Sequence, residues 1–293
     1  MKFLKYVFLL PLLVFCSSIS SVFCQDTAHK YLKEQGTLML GLHSYDTIQD
    51  SYSAFSDAFI KILKSTNSFQ DKFDSLDFIS FLYPPDSSFR IMSWQANIGD
   101  SKFVYKGVIQ TKDTLYILQA KPAYFNHPDF ANLELNPDNW YTCLYYGMEA
   151  FQRKKHNYYL LFGYQQPNAA IKRKVMDVFW FDGKKPVFGK ELLCNKKTDH
   201  CSKRMMIEYA ANATARLNYD KEYKMVVYDH LIKGVNPDFK DVMTYMPDGS
   251  YEGYKLKKNG TWEYDEMVWH DIQATPPTDL PPNTEKKKDI FGR

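Results

Sequence analysis

The stretch FRIMSWQANIGDSKFVYKGVIQTKDTLYILQA, residues 89–120, decides the fold class of this chain. Aromatic and β-branched residues alternate with polar ones in three runs, Phe89–Gln95, Phe103–Gln110 and Thr114–Ala120. A period of two is typical of strands with one face buried, and residues 97–101 and Lys112-Asp113 supply turns between the runs. The stretch therefore predicts three successive antiparallel strands.

The same pattern continues through most of the chain. Asn259-Gly260 is the strongest hairpin signal, and Asp248-Gly249 predicts another turn. Ten or more short strands with hairpin turns predict a mainly β fold of antiparallel sheets, as a meander, a sandwich or barrel-like sheets. The absence of a repeat of fixed period disfavours a propeller. The further predicted strands are Trp140–Ala150, Tyr158–Tyr164, Lys174–Phe181, Pro186–Leu193, Arg204–Ala210, Ala213–Tyr219, Lys224–Leu231, Tyr251–Lys257 and Thr261–Val268.

Between Asp50 and Leu82 the spacing is helical instead, and we expect a helical pair within the segment 25–85 that caps the β-rich domain. Asp50 or Ser51 is the expected N-cap, and Pro84-Pro85 ends the region. Residues 26–47 lack a clear period and are expected to be a poorly ordered lead-in. The two apolar stripes are Phe55, Phe59, Ile62 and Leu63, then Phe69, Phe73, Leu76 and Phe78.

Residues 1–24 have the pattern of a secretory signal peptide. Lys2 and Lys5 precede an apolar run that is shorter than the roughly 20 residues of a spanning helix, so cleavage is expected rather than anchoring. Cleavage after Cys24 leaves Gln25 first; Ser20 and Ser21 are alternative sites, and lipid anchoring at Cys16 or Cys24 stays open. The expected organisation is a signal peptide (1–24), a helical segment (25–85), a β-rich domain (86–273) and a disordered Pro/Lys tail (274–293).

Export changes how the remaining cysteines are interpreted. Cys194 and Cys201 flank a polar, turn-like segment, and an oxidising compartment favours a disulfide between them. The alternative is a metal pair with His200, which falls short of four ligands. Cys143 is then expected to be a buried free thiol.

Charge and motifs exclude several classes of function. The formal net charge is +3, and removal of the leader takes away two lysines and leaves +1, so no nucleic-acid partner is expected. Neither a zinc-ligand spacing nor a phosphate loop, dinucleotide fingerprint or nucleophile elbow occurs, so neither a metal nor a cofactor is expected. No segment after the leader is apolar enough for a transmembrane span.

Aromatic residues are abundant, with 22 Tyr, 21 Phe and 5 Trp. Most are expected to fill the core of the sheets, but rings exposed on one face would suit sugars or extended peptides. The ligand-binding candidates are Trp140, Tyr141, Tyr158, Tyr164 and Trp262, and Tyr145, Tyr146 and Tyr264 are further positions of interest.

The catalytic candidates are Asp229, His230, Glu208 and Asp220. An acid next to an imidazole can serve acid–base chemistry, and two carboxylates in one cleft can hydrolyse a glycosidic bond. Asp229 and His230 are adjacent on a predicted strand, however, so they should point to opposite faces and more simply fasten a loop.

The order of several motifs resembles a family of uncharacterised exported proteins of Gram-negative bacteria. The resemblance covers about residues 89–268 and implies export and this kind of fold, but no activity; Cys194 and Cys201 have no expected counterpart in it. The motifs are Trp140-Tyr-x-x-Leu-Tyr-Tyr, Tyr158-Tyr-Leu-Leu-Phe-Gly-Tyr164, Lys174-x-x-Asp177, Asp182-Gly-Lys-Lys-Pro-Val-Phe-Gly189, Ile207-Glu-Tyr-Ala210, Leu217-Asn-Tyr-Asp220, Val227-Tyr-Asp-His-Leu231, Pro247-Asp-Gly-Ser-Tyr251 and Gly260-x-Trp262.

The sequence thus favours an exported binding or interaction protein, in the periplasm, on the outer-membrane surface or outside the cell. Its expected partner is a glycan, a peptide or an envelope protein. A hydrolase acting on a glycan or peptide is the alternative, and a structural envelope component is the second. Exposed aromatic faces would favour binding, and a cleft with perturbed carboxylates would favour the enzyme.

Overall fold

Two helices begin the part of the chain that the structure describes. A computed structural model of the chain describes residues 26–236, 238–239 and 242–266, so the predicted signal peptide and the Pro/Lys tail lie outside the described residues. Helix α1 spans residues 26–40, and helix α2 spans Tyr45–Leu63. The Ser44 hydroxyl accepts the backbone N–H of Thr47 and so caps α2, six residues before the predicted N-cap Asp50.

The prediction of a poorly ordered lead-in was wrong, because α1 occupies most of it. The buried stripe of α1 runs through Leu32, Gly36 and Met39. Glycine interrupts the apolar pattern, and it is required there because a Cβ on Gly36 would lie 1.9 Å from the ring of Phe78. The buried positions of α1 therefore follow the helical period, but the apolar pattern of the sequence does not show it.

The prediction of a second helix over Phe69–Phe78 was wrong as well. A 3-10 turn at Ser68–Gln70 is followed by turns, and strand β1 follows directly. The buried guanidinium of Arg90 donates to the carbonyl oxygens of Ser68 (2.7 Å) and Asp71, and it lies 5.3 Å from the centre of the Phe73 ring. The carbonyl oxygens of this segment thus accept hydrogen bonds from an arginine of the sheet, whereas in a helix they would accept them from backbone N–H groups of the same segment.

Short 3-10 helices occur at Ser68–Gln70, Pro122–Asn126, Phe130–Asn132 and Pro137–Asn139. The strands of the described residues are β1 (Ser80–Leu82), β2 (Phe89–Asn97), β3 (Phe103–Thr111), β4 (Leu115–Ile117), β5 (Leu144–Arg153), β6 (His156–Gln165), β7 (Ile171–Asp182), β8 (Lys185–Phe188), β9 (Leu193–Asn195), β10 (His200–Ser202), β11 (Arg204–Ala210), β12 (Leu217–Asp220), β13 (Met225–Val235), β14 (Met243–Leu256) and β15 (Trp262–Asp265).

These strands form three sheets. The first sheet has the order β1-β2-β3-β4, and the second has the order β11-β7-β6-β5, with β8 added to β7. The third sheet has the order β10-β9-β15-β14-β13-β12. All pairings are antiparallel except the short one between β15 and β9. The prediction of a mainly β fold with antiparallel sheets and a helical cap is confirmed; among the described residues the sheets stack and do not close into a barrel.

Three apolar cores separate the layers. The helices pack on one face of the first sheet, through Trp94 and Met92. The other face of that sheet packs on the second sheet, and the second sheet packs in turn on the third. Strand β6 lies in the middle, so Tyr159 and Leu161 enter one core while Leu160 and Phe162 enter the other. A strand buried on both faces explains the continuous apolar run at residues 158–162.

Glycines mark two departures from the predicted strands. Gly189, at φ +106°, divides the predicted strand Pro186–Leu193 into β8 and β9, which belong to different sheets. Gly249, at φ +90°, lies within β14 and does not end it. There the register shifts between Asp229 and Leu231, so residues 248–250 bulge opposite a single residue of β13. The turn predicted at Asp248-Gly249 is therefore a bulge, whereas Gly260, at φ +79°, forms the predicted β14–β15 turn.

Candidate functional site

A cleft of about 700 Å³ lies along the edge of β3, where the helices, the first sheet and the second sheet meet, and we call it the interlayer cleft. Three parts of the chain form its walls: residues 102–106 at the start of β3, residues 118–126 of the loop after β4, and residues 165–167 after β6. Tyr52, Thr142 and Arg173 complete it. Its volume lies within the range of roughly 300–1,000 Å³ that is typical of small-molecule sites.

Two buried polar residues, Thr142 and Gln165, lie on the cleft lining. Thr142 is 3% exposed and has a φ of +66°, a left-handed conformation that a β-branched residue rarely adopts. The Gln165 side chain is 4% exposed and donates through Nε2 to the Thr142 hydroxyl at 3.1 Å. The Gln165 Oε1 atom is buried and makes no hydrogen bond to the part of the chain that the structure describes. Backbone strain next to an unused buried acceptor is typical of functional sites.

Arg173, on β7, fixes one wall of the cleft. Its Nε donates to Glu208 Oε2 at 2.7 Å, and its Nη2 donates to Asn126 Oδ1 at 2.9 Å. The guanidinium also lies 5.6 Å from the centre of the Phe125 ring. One arginine therefore connects the second sheet to the 3-10 helix Pro122–Asn126 that forms the wall.

The opposite wall is basic. Lys102 is exposed at its rim and Lys106 is partly buried, and none of the residues that line the described cleft is an aspartate or a glutamate. Tyr105 accepts the backbone N–H of Gln166 at 2.8 Å, which joins the two sheets, and burial raises the pKa of the Tyr105 hydroxyl. The cleft therefore offers positive charge, neutral hydroxyls and amides.

A buried polar network lies in the core between the first and second sheets. Asp177 and Arg204 form an ion pair at 3.1 Å with both side chains fully buried. Arg204 also donates to the carbonyl oxygens of Phe130 (2.7 Å) and Phe188 (3.0 Å). Burial raises the pKa of the Asp177 carboxyl, although Arg204 opposes this. The network ties the loop that bears a cleft wall to the second sheet.

Aromatic hydroxyls complete this network. Trp140 donates its indole N–H to the Tyr145 hydroxyl at 3.0 Å, and Tyr145 donates to Tyr141 at 3.2 Å. Burial raises the pKa values of Tyr141, Tyr145 and the Cys143 thiol far above their ordinary values. Cys143 is fully buried, as predicted, and its raised pKa makes it a poor nucleophile.

A second, smaller cleft of about 410 Å³ lies between the second and third sheets, around Arg216. Arg216 donates through Nη2 to Asp220 Oδ2 at 2.9 Å, and its backbone N–H donates to the Asp229 carboxylate. Glu149 lines this cleft, and burial raises the pKa of its carboxyl while Lys221 lowers it.

The structure distributes the predicted catalytic residues over separate places. Asp229 is buried against Arg216, whereas His230 contacts Asp248 Oδ2 at 2.8 Å on the bulge of β14. The two neighbours thus engage different partners, as expected for adjacent residues of a strand. Glu208 pairs with Arg173 at the interlayer cleft, and Asp220 pairs with Arg216 at the second cleft.

The predicted aromatic platform is not formed by its five candidates. Trp140 and Tyr141 are fully buried in the core between the first and second sheets, and Trp262 is 1% exposed in the next core. Tyr158 is also buried, and Tyr164 is partly buried. Tyr146, one of the further aromatic positions, is exposed, but its hydroxyl donates to the Leu217 carbonyl oxygen at 2.6 Å. The two cores on either face of the second sheet account for the buried rings.

Cys194 and Cys201 lie directly opposite each other on β9 and β10, with their sulfurs at bonding distance, so the predicted disulfide partners are brought together. In the described part of the chain, His, Cys, Asp and Glu side chains do not gather in threes or more as a metal site requires. Among those same residues, the helices are too short or too polar to cross a membrane.

Sequence reasoning missed Thr142, Gln165 and Arg173. The available signal was weak: a polar residue within an aromatic run at position 142, and polar residues at the end or start of a strand. Only the stacking of two sheets brings β3, β6 and β7 around one cleft.

Comparison of the chain with protein-family models, with curated proteins and with solved structures gave no match. The resemblance to an exported Gram-negative family accordingly stays a prediction, and function has to be argued from the clefts themselves.

Proposed function

We propose that this protein is an exported binding protein, secreted or associated with the cell envelope, that holds a polar ligand in the interlayer cleft. The observation that carries the proposal is the buried Gln165 Oε1, which lacks a hydrogen-bond donor among the described residues. A buried acceptor without a partner costs free energy, on the order of 1–3 kcal/mol, which a ligand donor would recover. Export is supported by the signal-peptide pattern and by the Cys194–Cys201 pair.

The cleft supports binding better than hydrolysis. A glycosidase mechanism requires two carboxyl groups that face one bound substrate. Glu208 reaches this cleft only through Arg173, and the described lining contains no carboxylate. Thr142 and Gln165 instead present a hydroxyl and an amide, which position a ligand but do not supply an acid–base pair.

The test uses protein that begins at Gln25 and a thermal-shift screen with neutral oligosaccharides, acidic oligosaccharides and short peptides. A ligand that binds only the folded state raises its stability by about 2.7 kcal/mol at a hundredfold excess over the Kd. We expect a dose-dependent shift with one class of probe, and we expect Gln165→Leu to abolish it.

Gln95→Leu is the matched control, because Gln95 Oε1 is likewise buried without a hydrogen bond but lies on β2, outside the cleft lining. The control should keep the shift. Equal binding by wild type and Gln165→Leu would place the site elsewhere, and flat curves with every probe would leave the structural envelope component as the better proposal.

A further inference from the structure

We infer that the ligand of the interlayer cleft is an acidic saccharide, held by side-chain amides in the cleft and by lysines at its rim. This inference rests on the proposed function and adds the chemical class of the ligand.

The charge of the cleft selects an anion. Lys102, Lys106 and Arg173 line it, and Glu208 neutralises one of these three cations, so two positive charges remain. The two lysines lie at the rim, on the helix-facing side of β3, whereas Arg173 is 9% exposed and donates to Asn126. Charges of one sign in a cleft raise the local concentration of an oppositely charged ligand.

The amides select a ligand rich in hydroxyl groups. Four carboxamide side chains line the cleft: Gln119, Asn126, Gln165 and Gln166. Each carboxamide is both a donor and an acceptor, as is each hydroxyl of a sugar. A bare carboxylate has only acceptors and would leave the buried Gln165 Oε1 unsatisfied. The ligand therefore carries hydroxyl donors as well as a negative charge.

The shape of the lining also suits a sugar. Phe103 and Tyr52 place partly buried rings in the lining, and rings pack on the apolar face of a pyranose. The polar groups come from separate elements around the cleft and not from one row along a strand. An extended peptide is recognised through such a row of backbone groups, so it fits this arrangement less well than a saccharide.

The test is calorimetric titration of wild-type protein with four saccharides and one peptide. The acidic probes are trigalacturonate and a hyaluronan tetrasaccharide; galactotriose and chitotetraose are the neutral counterparts, and tetraglutamate is the acidic peptide. We expect at least one acidic saccharide to bind about tenfold more tightly than its neutral counterpart, and tetraglutamate to bind no more tightly than the neutral sugars.

Two charge variants test whether the preference for an acidic saccharide comes from the lysines of the cleft. The double variant Lys102→Gln/Lys106→Gln should lose about tenfold in affinity for the acidic saccharide and most of the salt dependence. Lys112→Gln, in the exposed β3–β4 turn outside the cleft lining, should stay within about twofold of wild type.

The two proposals fail in different ways. If a neutral saccharide binds as tightly as its acidic counterpart and Gln165→Leu weakens it, the binding function stands and the acidic class is overturned. If tetraglutamate binds and neither acidic saccharide does, the saccharide class is overturned. If no probe binds, both the acidic-saccharide inference and the proposed function are contradicted.

Discussion

Asp177 and Arg204 form an ion pair in which Oδ2 lies 3.1 Å from Nε and neither side chain is exposed to solvent. Arg204 adds hydrogen bonds to the Phe130 and Phe188 carbonyl oxygens, so it joins the loop of residues 118–140 to the second sheet. The arginine thereby positions a wall of the interlayer cleft from within the core.

Breaking the Asp177–Arg204 ion pair should lower the stability of the protein. We expect Arg204→Met and Asp177→Asn each to lower the free energy of unfolding by about 3–5 kcal/mol, because each leaves a buried polar partner uncompensated. Urea denaturation measures the loss. Lys197→Ala, which removes the exposed Lys197–Glu266 pair, is the control and should cost about 1 kcal/mol or less. A loss below about 1 kcal/mol in both core variants would contradict the role assigned to the pair.

Gly36→Ala should destabilise the protein although alanine is the better helix former. In an open helix this change gains about 1 kcal/mol. Here the new Cβ would lie 1.9 Å from the Phe78 ring, and overpacking of this kind costs roughly 1–3 kcal/mol. Thermal or urea unfolding shows whether Gly36→Ala stabilises or destabilises the protein. Adding Phe78→Leu to Gly36→Ala should recover part of the loss, and a stabilised single variant would show that α1 does not pack on Phe78.

Substitutions in the β5–β6 turn should raise the stability of the protein. Lys154 and Lys155 form a two-residue turn between the paired residues Arg153 and His156, with φ values of +48° and +67°. A turn with two left-handed residues prefers Asn-Gly. We expect Lys154→Asn/Lys155→Gly to raise the unfolding free energy by about 1 kcal/mol, by relief of left-handed strain. Lys154→Gln/Lys155→Gln removes the same charges but keeps the strain, so it should not reproduce the gain.

Asp248 should contribute to the acid sensitivity of the fold. The hydroxyl and the N–H of Ser250 donate to its carboxylate, His230 adds to the effect, and together they lower the Asp248 pKa to about 2. A pKa below that of the unfolded chain, about 3.9, means that the ionised form stabilises the fold above that value. This contribution is lost as the pH falls from about 4 towards 2.

Comparison of wild type with Asp248→Asn across this pH range measures the contribution of Asp248. Wild type should be the more stable protein near neutral pH, and the difference should narrow between about pH 4 and pH 2. Ser250→Ala should reproduce part of the effect, since its hydroxyl is the largest cause of the lowered pKa. A difference that stays constant with pH would contradict the assignment.

The sequence predicted several strands well, including one that is buried on both faces. The runs at Phe89–Gln95 and Arg204–Ala210 correspond closely to β2 and β11, because aromatic and β-branched residues bounded by turn residues favour strands. The helical period failed to predict α1, because Gly36 interrupts its apolar stripe. It also predicted a second helix that does not form, because Arg90 donates hydrogen bonds to backbone carbonyl oxygens of that segment. Those contacts join residues that are distant in sequence.

The candidate site was harder to predict than the fold. Trp140, Tyr141 and Trp262 were chosen for their ring chemistry, but whether a ring is exposed depends on how many sheets stack, and here both faces of the middle sheet are covered. Glu208 was chosen as a carboxylate, and its relevance comes instead from Arg173, the partner on the neighbouring strand.

The sequence by itself determined the mainly β class, the Cys194–Cys201 pairing and the burial of Cys143, because these follow from local periodicity and from the placement of a few residues. The tertiary structure alone decided the number of layers, the strained Thr142 and the unsatisfied Gln165 beside it. The physical reason is that a cleft between two sheets is made of residues from separate strands, and their distances are set by the packing of the cores and not by their spacing along the chain.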